Sequence, residues 1–184
     1  MIRALIEVWG CDRVGIKLCP AGGLNDVGMT LQDTLDTYQY LIKHLDQLKV
    51  IYITLVRYVE SADPRIQGST VSRSPLLLFT VCESGRRRGT PHDVLEAYRE
   101  HIQRPYLFLN AGITVPEAED LLDKGLVDAV AFGRLWISHP DLQHRIEYRI
   151  PLDNVIDFKN LNGNPGVDPR KGYTDYPSAP STVV

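Results

Sequence analysis

Hydrophobic and polar positions follow two spacings along the chain, and together they predict alternating strands and helices. Residues 31–48 repeat apolar side chains every three to four positions, which is typical of an amphipathic helix. Short apolar or β-branched runs bounded by Gly, Pro or Asn favour buried strands. Four such runs are predicted as strands: residues 13–19, 50–58, 106–109 and 127–132.

Capping and turn residues predict where the other helices begin and end. Met1 to Trp9 forms an apolar helical segment that Gly10 closes. Thr90 is expected to cap a helix with Pro91 in its first position, extending to about Gln103. Residues 114–117 match a capping box for a helix that Gly125 ends.

The last predicted strand breaks at the pair Gly133-Arg134 and the chain restarts at Pro140. Pro140 suits the first turn of a helix, with Ser138 or His139 as its cap. Gly133 lets a backbone N–H approach an anion, and Arg134 adds a forked positive charge. Because phosphates bind where strands pass into helices in α/β folds, this pair is a candidate phosphate site.

A strand–helix order repeated four times predicts parallel strands joined by right-handed crossovers. A full (β/α)8 barrel needs about 250 residues, so the 184 residues suit half of one. A small doubly wound sheet is the alternative, although no GxGxxG follows the first strand. Residues 1–150 are thus predicted as a partial barrel, and residues 151–184, rich in Asn, Asp, Gly and Pro, as an extended tail.

Residues 68–88 fit neither pattern, since they lie between a predicted strand and helix, where loops are usually short. The segment carries the apolar run Leu76 to Phe79. It is either an added strand or hairpin, or sequence foreign to the fold, such as a translated intron. Both interpretations of this atypical insertion stay open.

Composition narrows the class of protein. The net charge of −3 and a pI of about 5.9 give no reason to expect nucleic acid as a partner. Cys11, Cys19 and Cys82 are odd in number and lack CxxC spacing, which favours a reduced protein over a disulfide scaffold or zinc site. No apolar stretch approaches about 18 residues and no signal peptide is evident. A soluble, cytoplasmic protein is expected.

Four motifs occur in order along the chain: VGIKLCP at residues 14–20, LNAGITVPEAEDLLDKGLVDAVAFGR at 109–134, HPDL at 139–142 and GYTDYP at 172–177. They resemble the C-terminal half of the old yellow enzyme family, strands five to eight of an FMN-bearing (β/α)8 barrel. The resemblance covers nearly the whole chain apart from residues 68–88.

The resemblance implies an FMN-dependent oxidoreductase in which NAD(P)H reduces FMN and hydride passes to an activated alkene. It places Lys17 near the flavin pyrimidine, where a cation stabilises the negative charge of reduced flavin. The alternative is a lysine that extends from a strand end into solvent. His139 replaces the more usual Asn of the NPDL motif, and GYTDYP is interpreted as structural.

For the phosphate of FMN, the resemblance implies backbone amides after the seventh strand and a Gly-Arg pair after the eighth. The matching residues are Asn110, Ala111, Gly112, Gly133 and Arg134. Ala111 stands where the family often has Gly. The alternatives are a plain turn at Gly112 and a surface salt bridge at Arg134.

The family's paired His and Asn that hold the substrate, and its proton-donating Tyr, precede the fifth strand and have no counterpart in these 184 residues. No catalytic residue is therefore named, and enzyme activity of the isolated chain stays open. Four histidines are interpreted as residues on helix surfaces and three tyrosines as packing residues: His44, His92, His101, His144, Tyr38, Tyr40 and Tyr52.

Two functions follow from the resemblance. The first is an old yellow enzyme-type oxidoreductase with a small activated alkene as substrate. The alternative is a non-catalytic half-barrel that binds a phosphorylated ligand weakly or needs a complementary half. Half a barrel exposes two strand edges and an apolar inner face, so a homo-oligomer or pairing with another half-barrel is expected, with no nucleic acid or membrane partner.

Overall fold

The computed structural model describes residues 1–23, 28–60, 63, 89–161 and 163–180, so the predicted insertion 68–88 lies outside the described residues. The chain divides into two compact units, Met1–Ala131 and Phe132–Val184. Helices and strands alternate in the first unit: α1 (Ile2–Trp9), β1 (Ile16–Leu18), α2 (Leu31–Gln47), β2 (Tyr52–Val56), α3 (Val94–Tyr98), β3 (Tyr106–Asn110), α4 (Val115–Asp123) and β4 (Ala129–Ala131). The second unit contains α5 (Arg134–Ser138) and α6 (Leu142–Glu147). Short 3-10 turns follow α1 at Cys11–Arg13 and α3 at Arg99–His101.

The four strands form one parallel sheet in the order β1-β2-β3-β4. This sequential order is that of a barrel, whereas a doubly wound sheet reverses its order near the middle. Strands β1, β2 and β4 are shorter than their predicted runs, whereas β3 extends one residue beyond its predicted run, to Asn110. Within the described residues, no helix is long and apolar enough to cross a membrane.

The two faces of the sheet differ in burial. Ile53 and Leu55 in β2 align with Leu107 and Leu109 in β3, and all four are fully buried. Alternate positions along a strand point to opposite faces, so Tyr52 and its neighbour Tyr106 lie on the other face. These two tyrosines are 36% and 58% exposed. The core therefore lies on one side of the sheet, where α2 and α3 add further buried side chains: Ile42, Leu45, Val94 and Tyr98.

Two carboxylates fasten the sheet to its surroundings. Asp46, near the end of α2, accepts the N–H groups of Gln103 and Arg104 at 2.7 and 2.8 Å, which holds the segment before β3. Asp128, the single acid in the last apolar run, accepts the N–H of Leu107 at 2.7 Å. A hydrogen bond to an ionised acceptor is stronger than a neutral one, so these contacts fix where β3 enters the sheet.

The predicted start of α3 is corrected by the structure. Asp93, rather than Thr90, caps the helix, because its carboxylate accepts the N–H groups of both Leu95 and Glu96. Thr90 instead donates its own N–H to the carbonyl of Ala21 at 3.1 Å. The helix is also shorter than predicted. It ends at Tyr98 and continues only as the 3-10 turn, so it does not reach Gln103 as one α-helix.

The other helix predictions had mixed outcomes. Helix α4 has the predicted capping box at Thr114, and Gly125 follows it with a φ of 64°. Ser138 and His139 do not cap the following helix, because α5 already begins at Arg134 and ends at Ser138. Asp141 occupies the N-cap position of α6, so Pro140 precedes that helix and is not in its first turn.

Buried polar groups hold the tail within the second unit. Arg145 is 4% exposed and binds Asp141 at 2.9 Å and Asp153 at 2.8 Å. His139 is 1% exposed and accepts the N–H of Asn154 at 3.1 Å. The hydroxyl of Tyr176, in GYTDYP, accepts a backbone N–H at 2.6 Å. The described tail contains neither helix nor strand, and these contacts explain how it is nevertheless ordered.

Gly15 lies where a side chain would collide with Tyr52, which stacks on Phe108 on the open face of the sheet. Tyr52 stacks on Phe108 with ring centroids 4.9 Å apart and planes 7° from parallel. A Cβ on Gly15 would lie 2.3 Å from the Tyr52 ring. We expect Gly15→Ala to displace this ring and lower the free energy of unfolding by about 1–3 kcal/mol, measured by urea denaturation. In a Tyr52→Ala background the same change should cost much less; an equal cost in both backgrounds would contradict the collision.

Candidate functional site

The carboxyl ends of β1 to β4 meet at one edge of the sheet, where parallel α/β folds bind ligands. Lys17 lies in β1 and aligns with Thr54, so it shares the face of the sheet that carries Tyr52 and Phe108. Its side chain is exposed. None of the described residues forms an ion pair with it. The flavin role and a lysine that extends from the strand into solvent both agree with this exposure, so the role of Lys17 stays a prediction.

Asn110 is the last residue of β3 and joins the neighbouring strands. Its side-chain N–H donates to the carbonyl of Ala131 at 2.7 Å. Its own carbonyl accepts the N–H of Arg57 at 3.0 Å. The side chain of Asn110 is therefore used within the sheet, which leaves backbone groups of the following residues as the candidates for ligand binding.

Ala111 and Gly112, directly after Asn110, both have positive φ angles, of 83° and 64°. A positive φ costs an alanine about 1–2 kcal/mol but costs a glycine little. Ala111 therefore has a backbone conformation that favours glycine, and it stands at a position where the old yellow enzyme family often has Gly. The strain is retained because surrounding contacts hold the turn.

Arg57 supplies those contacts and was overlooked by the sequence analysis. Its Nε donates to the carbonyl of Ala111 at 3.1 Å, and its Nη2 donates to the carbonyl of Gly112 at 2.7 Å. Its Nη1 forms an ion pair with Glu117. A basic residue at the carboxyl end of a strand, with an acid in the first turn of a later helix, was the signal available in the sequence.

Glu117 connects this arginine to helix α4. It completes the capping box with Thr114 and also accepts from Arg57. The hydrogen bond from Arg57 is the main reason that the pKa of Glu117 lies below its ordinary value of 4.5. We call the group formed by Arg57, Ala111, Gly112 and Glu117 the arginine clamp.

Gly133 and Arg134 belong to the second unit. Gly133 precedes α5 with a φ of −98°, and a Cβ there would meet nothing within 4 Å. Arg134 is exposed, and its guanidinium carbon lies 5.6 Å from the centroid of the Phe158 ring. No acidic residue in the described ranges pairs with Arg134, so the surface salt bridge considered for it is not found there.

Other polar groups have structural partners. Nδ1 of His92 lies 2.6 Å from the carbonyl oxygen of Thr90, and its Nε2 lies 3.0 Å from the hydroxyl of Tyr98. Burial, followed by the charge of Tyr38, raises the pKa of Tyr98 to about 12.

A shallow groove of about 290 Å³ on the second unit contains none of the predicted site residues. It is lined by Trp136, Pro140, Asp141, Gln143, His144 and Glu147.

The backbone strain at Ala111 leads to a stability prediction. Ala111→Gly removes the cost of a positive φ but gives the unfolded chain more freedom, so we expect a net stabilisation of about 0.5–1 kcal/mol. Ala97→Gly, inside helix α3, is the matched control and should destabilise by about 1 kcal/mol. Urea denaturation measures both, and a destabilising Ala111→Gly would show that the turn is not strained.

The lowered pKa of Glu117 leads to a pH prediction. An acid whose pKa falls on folding stabilises the folded state above its unfolded pKa, and that stabilisation is lost as pH falls through the folded value. The unfolding free energy should therefore decrease below pH 4.5, and less steeply in Glu117→Gln. Glu119→Gln, an exposed acid on the same helix, is the control. Equal slopes for Glu117→Gln and the unmodified chain would contradict the clamp.

Known proteins resemble this chain over part of their length. It is 28% identical over 184 residues to 12-oxophytodienoate reductase 2 of Arabidopsis thaliana, covering 100% of this chain and 41% of the relative. It is 32% identical over 186 residues to flavin oxidoreductase hxnT of Emericella nidulans, covering 97% and 44%. No protein-family model matches. The chain thus spans less than half the length of these curated relatives.

Solved structures agree with the sequence comparisons. Morphinone reductase matches with a TM-score of 0.64 and 28% identity, over 97% of this chain and 39% of that one. The old yellow enzyme from Trypanosoma cruzi matches with a TM-score of 0.65 over 96% and 38%, and its 22% identity shows the fold alone. The four-stranded parallel sheet is half of such a barrel. The resemblance seen in the sequence motifs is confirmed: the chain is a relative of the old yellow enzymes and corresponds to their C-terminal half.

Proposed function

We propose that the chain is the FMN-binding C-terminal half of an old yellow enzyme-type oxidoreductase. The observation that carries the proposal is the clamped turn at Ala111 and Gly112, at the same sheet edge that Lys17 approaches in β1. An anionic ligand needs donors and a cation in a fixed arrangement. Both are available at this edge, whereas a plain turn would need no arginine to hold its carbonyls.

The residues of the first unit fit FMN. Backbone N–H groups at the turn suit its phosphate. Lys17, which is exposed and has no ion pair with any described residue, suits the pyrimidine edge of its ring. In the second unit, Gly133 and Arg134 are exposed, and their phosphate role stays a prediction from the sequence resemblance. Asn110 is proposed to contribute by joining β3 to β4 below the turn.

The chemistry that FMN supplies when bound is hydride transfer from NAD(P)H to a small activated alkene. The chain's own residues bind and orient the cofactor. Lys17 would stabilise the additional negative charge of the reduced ring, because a fixed cation costs no reorganisation during the reaction. Among the described residues we assign no proton donor to the substrate.

We further propose that a second polypeptide surface completes the barrel, either a complementary half or a second copy of this chain. Tyr106 is 58% exposed on the inner face of the sheet. Helix α1 has no buried residue, and its Val8 and Trp9 are 71% and 60% exposed. Apolar surface of this kind favours association. Without such a partner, the alternative function is a non-catalytic half-barrel that binds a phosphorylated ligand weakly.

The test is gel filtration of the 184-residue protein with FMN. We expect FMN, detected by the flavin absorption at about 450 nm, to elute with the protein. Lys17→Met should make the reduction potential of the bound flavin more negative by about 30 mV or more, equivalent to about 1.4 kcal/mol for two electrons. Lys43→Met, an exposed lysine on α2, should leave the potential unchanged.

The outcomes distinguish an FMN-binding chain from a non-catalytic half-barrel and also test the position of Lys17. Coloured protein with a potential that depends on Lys17 supports the flavin proposal and its assignment of that residue. Folded protein that elutes colourless contradicts FMN binding by this chain alone and favours the non-catalytic half-barrel. Coloured protein whose potential is the same in Lys17→Met contradicts the proposed position of Lys17.

A further inference from the structure

Arg57 determines the direction of two consecutive peptide groups. Its Nε and Nη2 bind the carbonyls of Ala111 and Gly112, which are neighbours in the chain. One rigid, planar guanidinium therefore draws both carbonyls to the same side of the turn. The backbone N–H of Arg57 is itself bonded to Asn110, so the arginine is anchored to the strand that leads into the turn.

The N–H groups of the same peptides must point the other way. The described chain has no cis peptide bonds, and in a trans peptide the C=O and N–H bonds are directed oppositely. Fixing the carbonyls of Ala111 and Gly112 on Arg57 thus aims the N–H groups of Gly112 and Ile113 away from it. Neither N–H donates a backbone or side-chain hydrogen bond to any described residue. Successive N–H groups with this arrangement form an anion-binding concavity.

Glu117 neutralises the charge of Arg57, so the arginine clamp orients the turn and does not itself attract an anionic ligand. It occupies Nη1 of Arg57 and is itself fixed by the capping box with Thr114. The positive charge of the guanidinium is therefore compensated within the clamp. An anion at the turn would then be bound mainly by the two N–H groups, and Arg57 would act on it through their orientation.

We propose that Arg57 is a positioning residue that fixes the N–H groups of Gly112 and Ile113 for a phosphate monoester. This inference rests on the proposed function, since the phosphate is that of FMN. Arg57 would then help to determine which cofactor binds, although it lies outside the motifs at residues 14–20 and 109–134. The clamp would make the chain prefer FMN over riboflavin, which has the same ring system and no phosphate.

The experiment compares FMN and riboflavin binding to the full 184-residue chain, by fluorescence titration. Arg57→Lys keeps the charge but cannot hold two carbonyls and a carboxylate with one planar fork. We expect it to reduce the preference for FMN over riboflavin about tenfold or more, because the freed N–H groups lose their fixed direction. Riboflavin affinity itself should change by less than about twofold, since the ring contacts are elsewhere.

Arg99→Ala is the matched control. Arg99 also binds two carbonyls in the first unit, those of Leu126 at 3.1 Å and Ile102 at 2.7 Å, but at the opposite edge of the sheet, where β3 and β4 begin. Its loss should lower stability without changing the preference for FMN. If Arg57→Lys reduced FMN and riboflavin affinity equally, Arg57 would be a structural residue only and the inference would be overturned.

A second measurement keeps the inference testable without flavin. Inorganic phosphate is titrated into ¹⁵N-labelled protein, and the amide resonances of Gly112 and Ile113 are followed. We expect both to shift in the unmodified chain and to shift much less in Arg57→Lys. Flavin binding without a phosphate response at these amides would overturn the inference and leave the proposed function standing.

The opposite combination is equally informative. A phosphate response that depends on Arg57, in a chain that binds no flavin, would contradict the proposed function and support the clamp. Absence of both flavin binding and the phosphate response would contradict both proposals. A full phosphate response and full FMN preference in Arg57→Lys would show that charge alone suffices, which excludes positioning by the fork.

Discussion

Parallel pairing of β2 with β3 is the constraint on which the first unit depends. Ile53, Leu55, Leu107 and Leu109 are fully buried on one face of this pair. A one-residue shift of either strand would move these side chains to the exposed face, so burial fixes the register. The same register brings the ends of β1, β2 and β3 to one edge, and thereby determines where Lys17, Arg57 and the turn after β3 can lie.

Acidic side chains that accept backbone N–H groups recur at the junctions of this fold. Asp46 and Asp128 hold the entry to β3, and Asp93 and Glu117 hold the starts of α3 and α4. In the second unit, burial alone would raise the pKa of Asp141, but hydrogen bonds from Ala179 and Arg145 lower it. Short strands have few hydrogen bonds between them, so these carboxylates help to fix the conformation of the loops that connect strands and helices.

The inner face of the sheet and the surface of α1 remain open in the described chain. The chain spans 41% of its Arabidopsis relative and 39% of the morphinone reductase chain, and in a closed barrel an inner face is filled by layers of side chains. Exposure of Tyr106 is therefore expected for half of a barrel. The stacking of Tyr52 on Phe108 over Gly15 covers part of the face with aromatic surface from the chain itself.

The sequence alone determined the elements whose signals are local. Helix α2 was evident from its apolar spacing, β2 from its β-branched residues, and the start of α4 from its capping box. The resemblance to the old yellow enzymes likewise rested on contiguous motifs. The start of α3 was predicted wrongly from its local signal: Thr90 was expected to be the cap, but its N–H is bonded to the carbonyl of Ala21, and Asp93 caps the helix.

Tertiary structure alone decided the contacts between distant residues. Arg57 reaches Ala111, Gly112 and Glu117, which lie 54 to 60 positions later. Its place at a strand end marks it as a candidate but does not indicate which later residues it binds. Asp128 appeared only as an acid within an apolar run until the pairing of β3 and β4 gave it the N–H of Leu107. Periodicity and capping act within a few residues, whereas strand register sets which distant groups meet, and register is fixed by burial across the whole sheet.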